Sequence, residues 1–164
     1  MKSGLEVLLV DGASRLQGQR VGFCCNHTSV DARMRHGIDL LLERGVQIAR
    51  LFGPEHGVRA TAQDMEGVDE VCDPVTGVPT VSLYGDSEAS LKPDPAVLED
   101  LDVVVFDIQD IGARYYTYQA TLGFIMEVAG RVNTRVLVLD RPNPINGVTV
   151  EGNLVGPSHE SFVG

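Results

Sequence analysis

The stretch Val103–Asp107 (VVVFD) constrains the fold more than any other part of the chain, because it shows almost no alternation of apolar and polar residues. A strand written this way is covered on both faces, the situation of a central strand in a parallel sheet flanked by helices. Residues 20–25 (RVGFCC), 46–52 (VQIARLF) and 135–140 (RVLVLD) are also strand-like and largely apolar. Residues 79–84 (PTVSLY) form a further strand candidate, with the proline at its start, where a missing donor matters least. Between these runs lie stretches with helical character: 5–16, 38–44 closed by Gly45, 95–101 and 116–131. The last of these places Leu122, Ile125, Met126 and Ala129 on one side. The alternation predicts an α/β fold with a mainly parallel sheet. At 164 residues the chain can bury one good core and is too short for two ordinary domains. Residues 53–77 are the one long irregular stretch, and a loop of that length in a compact domain is usually functional or disordered.

A net charge of −10 argues against nucleic acid or an anionic membrane as partner, since either needs a basic face. Cys24 and Cys25 sit in an apolar run and are expected as buried strand residues, and the three cysteines fit neither a disulfide framework nor a zinc spacing. The start, MKSGLEVLLVDGAS, is a poor signal peptide, so the chain as written is expected to be cytoplasmic, or secreted or periplasmic if a leader was removed. No apolar run approaches the roughly 20 residues that span a bilayer. GxGxxG after the first strand, GxxxxGK[ST], GxSxG and HExxH are all missing, so dinucleotide, P-loop, serine-hydrolase and zinc-protease readings lack their defining residues. No cofactor is expected.

Polar residues gather where the strands should end, which is where open α/β sheets bind ligands. The first strand runs into Asn26-His27-Thr28, and the second into Gly53-Pro54-Glu55-His56-Gly57. In FGPEHG the glycines and proline suit a tight turn that aims Glu55 outward, although a helix-capping turn fits equally well. In DIQDIGARYYTY, Asp107 and Gln109 share a face if the strand continues, and Arg114 and Tyr118 share one if the following helix starts early. Aromatic rings beside carboxylates and an amide suit a sugar. The alternatives are that Tyr115, Tyr116 and Tyr118 pack the helix start and that Asp107 holds loop amides. In DRPNPING, Pro142 and Pro144 stiffen the loop and hold Asn143 extended, positioning Arg141 for a ligand or for an acidic neighbour.

Taken in order, NHTSVD, LFGPEHGVRA, TGVPTVSLYG, VVVFDIQDIGARYYTY, VLDRPNPINGVTVEG and SFVG closely resemble the NamZ-type exo-β-N-acetylmuramidases, over nearly the whole chain from about residue 5. The chain departs from the family pattern at Cys25-Asn26-His27-Thr28-Ser29, where TNQTG is usual, and at Val58, Ala60 and Asn153. The resemblance implies a Rossmann-like three-layer domain that releases non-reducing-end N-acetylmuramic acid from β-1,4-linked muropeptides or MurNAc-GlcNAc saccharides, with the catalytic glutamate at Glu55. It also implies that residues 1–164 form an N-terminal catalytic domain, truncated before a second domain that completes the cleft, and expected to have little activity alone.

Glycoside hydrolysis normally needs a general acid and a second carboxylate. Glu55 is expected as the acid, its pKa raised in a partly dry loop, with His56 tuning it or closing the turn. Asp107, Asp110, Asp140 and Glu151 are candidates for the second carboxylate, and substrate-assisted catalysis would need none. Asn26, Gln109, Asp110, Arg114, Tyr115, Tyr118, Arg141 and Asn143 are the expected substrate-binding residues. For the lactyl carboxylate, Arg141 is favoured, then Arg114, then Arg59. Two other classes stay open: a non-catalytic sugar- or nucleotide-binding module, and a metal-dependent hydrolase using His27, His56 and the Asp107/Asp110 pair. Oligomeric state is not legible.

Overall fold

The computed structural model describes residues 2–54, 57–59, 71–84 and 88–162. Glu55 and His56 lie outside the described residues. The chain opens with a helical segment that changes pitch: α1 (Gly4–Val7), a π turn at Leu8–Gly12 and a 3₁₀ turn at Ala13–Leu16. Ser3 and Glu6 form a reciprocal capping box at its start, satisfying two orphan backbone donors. Then follow β1 (Val21–Cys25), α2 (Gly37–Leu42), β2 (Ile48–Gly53), β3 (Val71–Cys72), β4 (Pro79–Ser82), β5 (Val103–Asp107), α3 (Tyr118–Val132) and β6 (Arg135–Val138). The expected helix at 95–101 is a single 3₁₀ turn at Pro95–Val97, N-capped by Asp94. Gly45, with φ 74°, ends the α2 turn as expected.

The six strands lie in the order β3-β4-β2-β1-β5-β6. All neighbouring pairs are parallel except β3 with β4, which adds a two-residue antiparallel edge. Helices cover both faces, giving three layers. On one face Leu5, Leu8 and Leu16 of the opening segment and Ile38, Leu40 and Leu41 of α2 pack on Val21, Phe23, Val103 and Val105. On the other, Ile125, Val128 and Ala129 of α3 pack on Cys24, Phe52, Val104 and Phe106. Every residue of β1 and β5 is buried, which accounts for the unbroken apolar runs in their sequences. Cys24 and Cys25 are fully buried, and burial pushes both thiols up. No described helix is long and apolar enough to cross a membrane.

From β1 the chain moves outward to β2 and β4, then returns across the sheet to β5 on the other side of β1. The loops after β1 and β5 therefore lead to helices on opposite faces of the sheet, and the strand ends where they part are the topological switch point, the usual ligand position in such sheets.

Candidate functional site

Two loops held together by hydrogen bonds line the switch point. The Ser29 hydroxyl donates to the Asp107 carbonyl, and Ser29 Oγ accepts from Asn26 N at 3.0 Å. Thr28 Oγ1 accepts from Gln109 N at 3.0 Å and donates to Asn26 Oδ1 at 2.6 Å. Asn26 Oδ1 also accepts from Thr28 N at 2.9 Å. A backbone N–H can only donate, so the atom facing it must be the amide oxygen. Asn26 is fully buried, and its Nδ2, pointed elsewhere by this constraint, has no hydrogen-bond partner among the described residues. Such a group in native structures calls for an explanation, and a ligand acceptor is one.

Beneath Asn26 lies His36, which the sequence reading did not single out. His36 Nδ1 accepts from Ile38 N at 3.2 Å and caps α2, while Nε2 stands 2.9 Å from the Asn26 carbonyl. These partners fix the neutral tautomer with its proton on Nε2. Burial holds the His36 pKa below the usual histidine value, and the Arg59 charge adds to this. The signal in sequence was a histidine just before an apolar helix start, since Ser, Thr, Asp and Asn are the usual caps there.

Asp107 ends β5 and faces the α2 side. Its carboxylate is held in a fork by Arg141, Nε to Oδ1 at 2.6 Å and Nη2 to Oδ2 at 2.9 Å. The Asp107 side chain is fully buried and that of Arg141 is 9% exposed. Burial pushes the Asp107 carboxyl up, and the guanidinium pulls it back down. Arg141 Nη2 also reaches the Val30 carbonyl at 3.3 Å, so the pair ties three strand-end loops together. Pairing with an acidic neighbour, one of the two roles left open for Arg141, is the geometry found.

Other expected residues distribute as follows. Gln109 donates through Nε2 to the carbonyls of Asp110 (2.7 Å) and Pro142 (2.9 Å), joining the loops after β5 and β6. Asn143 lies against Gly112, where an added Cβ would come within 2.8 Å of Asn143 Nδ2; with φ 72° as well, that position requires glycine. Asp110 Oδ2 accepts from Gly112 N, while its buried Oδ1 lacks a partner among the described residues. Asp110 and Arg141 also line a cavity of ≈ 250 Å³ with Gln119 and Asp140.

The remaining expected residues are placed as follows, Tyr118 and Asp140 lining the same cavity as Asp110 and Arg141. Because α3 begins at Tyr118, Arg114 and Tyr118 do not share a helical face. Tyr118 is 5% exposed in the α3-side core, edge-on to Tyr116 with centroids 4.7 Å apart. Tyr115 is 75% exposed, and Arg114 donates to the Asn153 carbonyl at 3.0 Å. His27, Asp140 and Glu151 are exposed. Arg59 is committed to Asp73 (2.7 Å) and Asp39 (3.1 Å), with Thr76 completing the cage around Asp73. That pair clasps the chain just after β2 to the start of the β3–β4 turn. At the end of β2, Gly57 N donates to the Pro54 carbonyl at 2.9 Å, Gly57 has φ 77°, and the Gly57 and Val58 backbone lies against Gly53.

The sequence profile described as exo-beta-N-acetylmuramidase NamZ, N-terminal, matches residues 21–164. The peptidoglycan beta-N-acetylmuramidase NamZ of Bacillus subtilis is 41% identical over the whole chain, which spans 39% of that protein. Two crystal structures of DUF1343 family proteins from Bacteroides fragilis superpose on 99% of the chain and 40% of their own length. Their TM-scores are 0.86 and 0.80, at 45% and 32% identity. The chain thus spans about two-fifths of the length of the relatives it matches.

Proposed function

Since the chain belongs to the family of the exo-β-N-acetylmuramidase NamZ N-terminal region, we propose that it forms the α/β part of a glycoside hydrolase. That enzyme releases non-reducing-end N-acetylmuramic acid from β-1,4-linked peptidoglycan fragments. The observation that carries the reading beyond family membership is the buried, oriented Asn26 Nδ2 at the switch point, a donor without a partner among the described residues. An N-acetyl carbonyl or a sugar hydroxyl is an acceptor suited to it. Glu55, two residues beyond the end of β2 in sequence, supplies the general acid. The Asp107–Arg141 pair shapes the crevice floor. Of the three arginines in the strand-end motifs, Arg114 alone has no carboxylate partner among the described residues, and it takes the lactyl carboxylate.

The test uses a family-length protein carrying this sequence, assayed with chromogenic muramic and glucosamine substrates. Glu55→Gln keeps shape and loses the proton, so turnover should fall about 10²–10⁴-fold with binding retained. A loss below about tenfold removes Glu55 from the acid role. In the same assay Arg114→Ala should lower the muramic-over-glucosamine preference about ten- to a hundredfold, the value of one hydrogen bond to a charged group.

A further inference from the structure

In the turn that follows β1, every polar atom of Asn26 but Nδ2 is committed. Its N–H donates to Ser29 Oγ, its Oδ1 accepts from Thr28 N and Thr28 Oγ1, and its carbonyl accepts from Ser29 N at 3.0 Å. Those partners belong to the turn itself, which Ser29 and Thr28 tie to the β5 loop on one side. On the other side stands α2. From there His36 Nε2 reaches the Asn26 carbonyl at 2.9 Å, the hydrogen bond by which Asn26 itself is held from outside its turn among the described residues.

His36 is rigidly placed for this. Gly37 N donates to the Ser29 carbonyl at 2.7 Å, and His36 pairs with Val30 in an isolated antiparallel bridge. An added Cβ at Gly37 would stand 3.0 Å from Phe23 Cζ, so the start of α2 approaches β1 closely. Ile38 N engages Nδ1 as acceptor and leaves Nε2 as the donor. The two ring nitrogens therefore do separable work: Nδ1 caps α2, and Nε2–H holds the Asn26 carbonyl.

We infer that His36 is a positioning residue for saccharide binding: through Nε2–H it fixes the Asn26 carbonyl, and so aims at the bound sugar the Nδ2 that no described residue engages. The inference rests on the sugar reading of Asn26 Nδ2. Asn26 exchanges no proton with the substrate, so a misaimed amide weakens binding without slowing the chemical step. KM rises and kcat changes little.

The experiment uses a family-length protein carrying this sequence, the chromogenic muramic substrate and two substitutions that split the nitrogens. The amide of an asparagine stands where Nδ1 was, and that of a glutamine where Nε2 was. His36→Asn therefore keeps a cap for Ile38 N and loses the Asn26 contact, whereas His36→Gln keeps a donor to Asn26 and loses the cap. KM should rise about two- to tenfold in His36→Asn, the worth of one neutral hydrogen bond, and stay within about twofold of wild type in His36→Gln. A KM in His36→Gln that matches or exceeds that of His36→Asn, as capping alone would give, overturns the proposal. So does a loss confined to kcat. Asn26→Asp, which keeps the Oδ1 contacts to Thr28 and lacks the Nδ2 donor, separates positioning from the sugar reading. A raised KM there with an unaltered KM in His36→Asn sinks positioning alone, and an unaltered KM in Asn26→Asp sinks both. Should neither His36 variant fold, ring-nitrogen NMR shifts of His36 in the wild-type protein decide. Nε2 protonated and Nδ1 bare at neutral pH is the expected result, and the opposite tautomer overturns the proposal.

Discussion

Arg141→Ala tests whether the Asp107 pair holds the strand-end loops together. The substitution leaves a fully buried carboxylate facing no cation, since the Arg141 fork supplies both of its close contacts. At an effective dielectric of about 20, two charges about 4 Å apart attract by roughly 4 kcal/mol. Removing one partner of a buried pair typically costs about 3–5 kcal/mol. Both figures exceed the roughly 1 kcal/mol or less expected for a surface pair. For a chain of this size, 3–5 kcal/mol corresponds to a fall in Tm of about 6–20 °C. Urea unfolding at unchanged m is the assay. Arg141→Lys, which keeps charge and loses the fork, should fall between the two proteins. Asp107→Leu with Arg141→Met should recover most of the loss, because the buried charge goes with its partner. The sign with pH is also set. In Arg141→Ala the native Asp107 carboxyl climbs further above its unfolded value of about 3.9, so the native state holds a proton the unfolded chain has released. Stability of the variant relative to wild type should therefore fall as pH rises through that native pKa. A loss below about 1 kcal/mol would refute the structural role and return Arg141 to ligand binding.

His36 is held neutral, its pKa depressed by burial beside Arg59 against the opposing pull of Asp39. Its contribution is fully present above the unfolded pKa of about 6.5 and is lost as pH falls below it. The stability advantage of wild type over His36→Asn should accordingly shrink between pH 8 and pH 5, and a pH-independent difference in urea midpoint would contradict the tautomer assignment. At Gly4 an added Cβ would lie 2.5 Å from Asp140 N and 2.6 Å from the Leu139 carbonyl carbon, with backbone on both sides unable to give. Gly4→Ala should cost about 1–3 kcal/mol in denaturant unfolding, in line with other overpacked sites, and a neutral result would mean that the opening helix does not rest on the end of β6.

The strands most legible in the sequence were those whose environment is uniform. VVVFD reads correctly because both its faces are dry. The antiparallel Val71–Cys72 was invisible, since two residues in a polar segment carry no period, and pairing with Thr80 and Pro79 defines them. The opening helix was expected as one α segment, yet it passes through π and 3₁₀ turns that spacing does not signal. The rim was legible as a set of strand ends, but its allocation was not. Whether Arg141 meets ligand or Asp107 depends on the β5–β6 register, and whether Tyr118 faces a sugar or the core depends on where α3 begins. Neither is a property of local sequence.

The hydrogen bonds joining the β1 and β5 loops span 78 and 81 residues of chain. Long loops are costly to close before contacts reward them, so such pairings form late. A folding species with β1, β2 and β4 aligned but β5 undocked would have much of a sheet and no Thr28–Gln109 contact, hence no oriented Asn26 amide. Ligand recognition at this crevice would then report the closing step of folding. A saccharide bound there would stabilise only molecules in which both halves of the sheet have met, making affinity a selective probe of complete assembly.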